Sequence, residues 1–331
     1  MVSFTFFRIV LFGSILFCCP LFGQNIAPIA TDDVYTGYLN RTITADVSNG
    51  VLANDTDPDG GSLSINPIPV VSPTTGILTL GNDGSFTFVP QAGFVGNVTF
   101  DYEVCDDGTA SQLVSQFDFD TSALTTATVG PNATTINSNA VQTACGVRIG
   151  SGAGGSAGLD ITIPNTGSIF NFSSFRIELD YQDNESTADI ITGGNFRIYH
   201  ITGNEIGVAI TVIDGNTGLS TLYTRTLGSF LGGNNTYIVE YDELTGDITY
   251  TANGTTTTIG NVAPDYSPLD TSLATAPIVG RFMDNSGGSD PSLCKIAITD
   301  TSKLCDTGTV NINFTASLIT NKRITYRVNP D

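Results

Sequence analysis

The chain has 331 residues, with 32 acidic and 12 basic side chains that give a formal net charge of −20. So few Lys and Arg residues argue against a nucleic-acid-binding protein, because phosphate contacts need them, and a single His argues against a His-based catalytic triad or a His-rich metal site. With 40% hydrophobic and 9% aromatic residues the chain can bury a core, and its length suits about two domains.

The amino-terminal residues have the pattern of a secretory signal peptide. One charged side chain, Arg8, precedes an apolar run over residues 9–17, and a small residue precedes the expected cleavage point. We therefore expect a signal peptide over residues 1–23 and a secreted or cell-surface protein that is not integral to the membrane after cleavage. The alternatives are an uncleaved anchor or a lipoprotein attached through Cys18 or Cys19.

Cysteine usage agrees with export. Two of the six cysteines lie in the expected signal peptide, and the other four are Cys105, Cys145, Cys294 and Cys305. An even number of cysteines in an exported chain predicts two disulfides, and four cysteines allow three pairings.

Alternation of apolar and polar residues, typical of half-buried β-strands, runs through the mature chain, and no long stretch has helical periodicity. The strand-like segments are residues 85–89, 97–104, 175–181, 196–199, 208–212, 237–242, 248–254, 278–285 and 295–300. Turn motifs rich in Asn, Asp and Gly separate them, as at residues 82–84, 214–216 and 244–247. The sequence therefore predicts an all-β fold.

Residues 27–107 form one recognisable unit. It contains VLANDTDPDG at residues 51–60, SFTFVP at residues 85–90 and FDYEVCDDG at residues 100–108. In this order the three segments resemble the bacterial Ig-like, cadherin-like repeats of surface adhesins. The resemblance implies a two-sheet β-sandwich.

The last strand that this resemblance calls for does not follow residue 108. A matching segment, LCDTGTVNINF, appears instead at residues 304–314. We therefore expect a domain of residues 24–112 plus 303–316, interrupted by an inserted domain of residues 113–302 and clamped by a Cys105–Cys305 disulfide. Loop tips tolerate such insertions, and omission of the strand would leave an unpaired sheet edge. The alternative is a linear order, in which a truncated first domain precedes a second domain.

The expected insert is similar to laminin-G-like, concanavalin-type jelly rolls. A hairpin with Tyr-Asp, Thr-Gly and Asn-Gly over residues 241–254 and a closing pattern over residues 279–300 carry this resemblance. In that fold the first and last strands are neighbours, which implies a Cys145–Cys294 disulfide. The remaining residues, 317–331, form a tail that contains a further strand-like run.

Acidic residues at the turns of the first unit suggest calcium, a hard cation that takes several oxygen ligands. The candidate ligands are Asp32, Asp33, Asp55, Asp57, Asp59 and Asp107. A second, weaker candidate in the insert consists of Asp284 and Asp290. The alternative for both groups is an acidic, solvated turn.

A possible catalytic pattern lies on a predicted strand of the insert. Some glucanases of the concanavalin fold carry paired carboxylates at this spacing, where Glu178, Asp180 and Asp183 stand here. Gln182 occupies one of the required positions, and the chain has no Trp on which a sugar ring could stack. We therefore predict no catalytic residue.

The two resemblances imply an adhesion or glycan-binding role, and we therefore expect an exported, non-catalytic protein of this kind. Its expected partner is an extracellular polysaccharide or a surface glycoprotein, and calcium is its expected cofactor. A structural spacer and a glycoside hydrolase are the alternatives.

Overall fold

The computed structural model describes residues 25–108, 111–119, 123–143, 146–149, 158–183, 188–201, 204–283 and 292–316. The predicted signal peptide and the tail lie outside these residues, as do Cys145, Asp284 and Asp290. The described part consists of β-strands and two three-residue 3-10 turns, Thr166–Ser168 and Thr271–Leu273. The all-β prediction is confirmed.

Six strands precede residue 108. They are β1 Asp33–Tyr38, β2 Ile43–Ala45, β3 Ser64–Ile65, β4 Ile77–Leu80, β5 Phe86–Val89 and β6 Gly96–Cys105.

The following strands run to residue 300, and a final strand ends the described chain. They are β7 Gln112–Asp118, β8 Ala140–Thr143, β9 Gly146–Ile149, β10 Ile161–Thr162, β11 Phe175–Asp183, β12 Ala188–Thr192, β13 Phe196–Ile201, β14 Glu205–Ile213, β15 Ser220–Ser229, β16 Gly233–Asp242, β17 Asp247–Ala252, β18 Thr255–Ile259, β19 Ile278–Arg281, β20 Ser292–Asp300 and β21 Cys305–Thr315.

The first sandwich is built from both ends of the described chain. Its sheets have the orders β1-β21-β6-β3 and β2-β5-β4. Strand β21 runs parallel to β1 and antiparallel to β6, and Cys305 lies directly opposite Cys105. Alternate residues of these strands point inward, and the rings of Phe86, Phe100 and Phe314 lie in the shared core.

The second sandwich contains strands β7 to β20. One sheet has the order β10-β19-β12-β13-β14-β15, and the other has the order β18-β17-β16-β11-β20-β9-β8, with β7 also paired to β20. A separate hydrophobic cluster fills the space between the sheets, to which β11 contributes Phe175, Ile177, Leu179 and Tyr181. Each sandwich therefore has its own hydrophobic core between its two sheets.

Residues 301–304 connect β20 to β21 and lie where the two sandwiches meet. The Lys303 backbone N–H donates to Glu243 Oε1 at 2.7 Å, and the Lys303 ammonium donates to the carbonyl of Asp107. On another element, the Tyr266 hydroxyl donates to the carbonyl of Ile65 at 2.7 Å. Hydrogen bonds from two separate segments therefore join the sandwiches.

Candidate binding site

Two of the predicted calcium ligands lie together at the start of β1. Asp33 is 8% exposed, and its Oδ2 accepts no hydrogen bond from the described residues. Burial raises the pKa of Asp33 to about 7, and the charge of the neighbouring Asp55 carboxylate contributes to this increase to a smaller extent. Asp55 Oδ2 accepts a hydrogen bond from the Tyr102 hydroxyl at 3.0 Å, and burial raises its pKa as well.

A different pair of predicted ligands lies beside Gly61. A Cβ on Gly61 would stand 2.6 Å from Asp57 Oδ2 and 2.8 Å from Asp107 Oδ1, so these two carboxylates converge beside the Gly61 backbone. The remaining candidates are used by the backbone: Asp59 Oδ2 accepts from Ile26 N–H at 2.9 Å, and Asp32 Oδ1 accepts from Thr309 N–H at 3.0 Å.

The structure thus divides the six acids of the calcium prediction between separate places. Within the described residues, the one group of three potential ligands whose atoms lie within 4.8 Å of one another is Glu103 with Cys105 and Cys305, and these cysteines form a disulfide. The unpaired oxygen of Asp33 next to Asp55 is the feature that best suits a cation. Calcium binding stays a prediction.

The disulfide between Cys105 and Cys305 joins residues that are 200 positions apart in the sequence. It links β6 to β21 where they lie side by side, as the adhesin resemblance implied. Cys294 is also disulfide-bonded, but its predicted partner Cys145 lies outside the described residues. The Cys145–Cys294 pairing stays a prediction, although Val147 of β9 does lie opposite Leu293.

Two carboxylates of the glucanase-like pattern, Glu178 and Asp180, lie on the outer face of β11. Both oxygens of Glu178 are occupied, since Oε2 accepts from Arg176 at 3.0 Å and Oε1 accepts from Lys295 at 2.7 Å. Asp180 Oδ1 accepts from the Thr236 hydroxyl at 2.6 Å. These contacts form a polar network on the sheet surface.

A polar cleft of about 530 Å³ opens where the two sandwiches meet. We call it the junction cleft. Its charged lining consists of Asp107, Arg176, Glu240, Asp242, Asp247 and Lys303, and several Thr hydroxyls lie between them. Asp107 belongs to the segment after β6 and Lys303 to the segment before β21, whereas β11, β16 and β17 of the second sandwich supply the other four residues. Pockets for small ligands have volumes of about 300–1,000 Å³.

Glu243 lies directly after one cleft strand and is buried at the junction. Its Oε1 accepts hydrogen bonds from the Ser173 hydroxyl and the Lys303 backbone N–H, both at 2.7 Å. Burial raises the pKa of Glu243 to about 7, although these donors and the Lys303 charge act in the opposite direction. Glu243 therefore holds the segment that leaves the second sandwich.

No motif in the sequence marks these residues as functional, whether the cleft residues Arg176, Glu240, Asp242, Asp247 and Lys303 or the buried Glu243. They come from segments far apart in the chain, and no spacing within any one segment indicates that they meet.

The segment that carries the calcium candidates can be assigned by comparison. Residues 25–122 match the bacterial cadherin-like domain family. The match covers strands β1 to β7 and does not include β21, although β21 completes the first sandwich in the structure and β7 pairs with β20 of the second. No curated protein matches the chain.

Solved structures show only distant likeness. The carbohydrate-binding module CBM40 of a Ruminococcus gnavus sialidase is 13% identical, over 43% of this chain and 88% of that one, with a TM-score of 0.31. A Trypanosoma rangeli sialidase mutant with trans-sialidase activity is 12% identical, over 69% and 40%, with a TM-score of 0.37. The Crh5 transglycosylase is 12% identical, over 57% and 86%, with a TM-score of 0.34. At these scores none of the three assigns a ligand or an activity to this chain.

Proposed function

We propose that this protein is an exported, non-catalytic adhesion protein that binds glycans at the cell surface. The observation that carries the proposal is the match of residues 25–122 to the bacterial cadherin-like domain, a module that resembles the repeats of surface adhesins. The Cys105–Cys305 disulfide supports an oxidising compartment outside the cytoplasm. Among the described residues, no helix is long and apolar enough to cross a membrane.

The second sandwich is the proposed ligand-binding part, and the first is its attachment. We assign the second sandwich to the laminin-G-like, concanavalin-type jelly rolls, in line with its two packed sheets. Its polar surface groups and the junction cleft can form hydrogen bonds with sugar hydroxyl groups. This recognition does not require a pair of catalytic carboxylates. Both oxygens of Glu178 are held by cationic side chains, and Gln182 stands where the hydrolase pattern requires a further carboxylate.

A glycan array probed with the mature chain, in the presence and in the absence of calcium, tests this proposal. We expect retention of at least one polysaccharide or surface glycoprotein, with no release of reducing ends when that ligand is incubated with the protein. The Glu178→Gln variant is assayed for release of reducing ends in parallel, and like the wild type it should release none.

Two outcomes would contradict the proposal. A folded mature chain that binds no glycan and no glycoprotein on the array would favour the structural spacer. Release of reducing ends that is lost in Glu178→Gln would identify a glycoside hydrolase.

A further inference from the structure

We propose that the junction cleft binds a segment of an uncharged polysaccharide, an inference that rests on the proposed glycan-binding function. The cleft lies between the two sandwiches, and its volume of about 530 Å³ is within the range of specific ligand sites. A polysaccharide segment could lie across the outer face of β16 and β17 and reach Asp107 on the first sandwich.

The lining of the cleft suits hydroxyl groups. Ionised carboxylates only accept hydrogen bonds, whereas a Thr hydroxyl both donates and accepts, so together they can satisfy the paired hydroxyls of a sugar ring. Asp247 uses Oδ1 to accept from Asn261 N–H at 2.8 Å, and its Oδ2 accepts no hydrogen bond from the described residues. That oxygen is available to a ligand hydroxyl.

Part of the cleft is held in place before any ligand binds. Arg176 donates to Glu178 at 3.0 Å, and its Nε lies 3.6 Å from Glu240 Oε1. Glu240 Oε2 in turn accepts from the Thr249 hydroxyl at 3.0 Å. Side chains already fixed by their neighbours lose less conformational entropy on binding, which favours recognition by hydrogen bonds alone.

Charge selects against acidic polysaccharides. Four carboxylates and two cationic side chains line the cleft. Both cations are already engaged, Arg176 by Glu178 and Glu240, and Lys303 by the Asp107 carbonyl and by Asp242 at 3.9 Å. The four carboxylates outnumber the two cations of the lining, and the chain as a whole carries a net charge of −20. An anionic ligand would therefore be repelled.

Affinity electrophoresis of the full mature chain tests the inference. The neutral probes are laminarin, agarose, xylan and mannan, and the acidic probes are alginate and polygalacturonate. We expect retardation by at least one neutral probe and none by the acidic probes. The double variant Thr249→Val/Thr258→Val removes two cleft hydroxyls while keeping β-branched side chains in the strands, and it should weaken binding of the neutral probe at least fivefold.

The matched control is Thr224→Val/Thr226→Val, two exposed positions on β15 in the other sheet, which should bind as the wild type does. Thermal melting of both variants verifies that they fold. Preference for an acidic probe, or unchanged binding by the cleft variant, overturns the assignment of the cleft while the glycan-binding function stands. If none of the probes, neutral or acidic, and no ligand on the glycan array binds, the proposed function itself fails.

Discussion

Asp33 is an acid that the first sandwich buries at the start of its edge strand. Its pKa of about 7 in the folded protein lies well above the value of about 3.9 for an exposed Asp. Between these values the folded state holds a proton that the unfolded state has released. The contribution of Asp33 to stability is therefore fully present below about pH 3.9 and is lost progressively as the pH rises from there through about 7.

This linkage predicts the behaviour of Asp33→Asn. The variant should be more stable than the wild type at pH 8, where the buried carboxylate is ionised, and more stable by a smaller margin at pH 5.5, where only the unfolded state has released the proton. Urea unfolding at both pH values measures the difference. The control is Asp83→Asn, because this exposed carboxylate accepts from Ser85, which lowers its pKa, and its replacement should not produce the same gain. Equal effects of the two substitutions at pH 8 would contradict the buried ionisation.

Calcium is expected to act on the same pair of acids. A cation between Asp33 and Asp55 would offset their mutual repulsion, so millimolar calcium at pH 8 should raise the melting temperature by about 2–5 °C. The double variant Asp33→Asn/Asp55→Asn should lose this increase. Differential scanning calorimetry with and without chelator checks the expectation, and an unchanged melting temperature in the wild type would rule out the site.

At the scale of elements, β21 is the strand on which the first sandwich depends. It lies between β1 and β6 and supplies the inward side chains Val310, Ile312 and Phe314. Strand β7, which follows β6 directly in the chain, pairs with β20 of the second sandwich instead. Proximity along the chain therefore does not decide which sheet a strand joins.

The disulfide should contribute to stability by limiting the freedom of the unfolded chain. The double variant Cys105→Ala/Cys305→Ala is expected to lower the free energy of unfolding of the first sandwich by about 2–5 kcal/mol. Urea denaturation followed by the fluorescence of its tyrosines measures this. Reduction of the wild type is a poor substitute, because Cys294 is disulfide-bonded too. A loss smaller than about 0.5 kcal/mol would show that strand pairing alone holds β21.

Some strands were harder to predict than others. Strand β15 has no clear alternation in the sequence. Among the described strands it pairs with β14 alone, and most of its side chains are exposed, including Leu222 at 63%. An edge strand has no strict need for alternation. By contrast, Phe175–Asp183 and Gly96–Cys105 alternate clearly because one face of each packs on a core.

At the scale of the whole molecule, the question is whether the chain has a nested organisation, in which residues 113–302 interrupt the first sandwich. The arrangement of the two sandwiches makes a test of this organisation possible. A Cβ on Gly108 would lie 2.8 Å from the Thr301 carbonyl and 3.1 Å from the Lys303 side chain, so the two ends of the intervening segment are close together. If the intervening segment were removed, a short linker could join residue 108 to residue 303.

We expect a chain of residues 25–108 joined to residues 303–316 by a short Gly-Ser linker to fold cooperatively. Residues 25–108 alone should not fold, because β1 and β6 would lack the strand between them. Circular dichroism melting and dispersion of amide proton signals distinguish the two chains. An unfolded linked chain, or a folded chain without residues 303–316, would contradict the nested organisation.

The sequence by itself determined the all-β class, the position of about half of the strands and the kinship of its first unit with bacterial cadherin-like domains. These depend on side-chain alternation and turn residues, which are local and can be read along the chain. The Cys105–Cys305 disulfide was also foreseen, because a segment near the end resembles a missing strand.

Only the tertiary structure decided how the acids are grouped and where a ligand could bind. Alternating acids in one turn look like a single ligand set, but Asp55 turns towards Asp33 while Asp57 turns towards Asp107. The burial of Glu243 and the junction cleft likewise arise from segments up to about 200 positions apart, such as those of Asp107 and Lys303. Such contacts depend on how the two sandwiches pack, and no local pattern in the sequence encodes that packing.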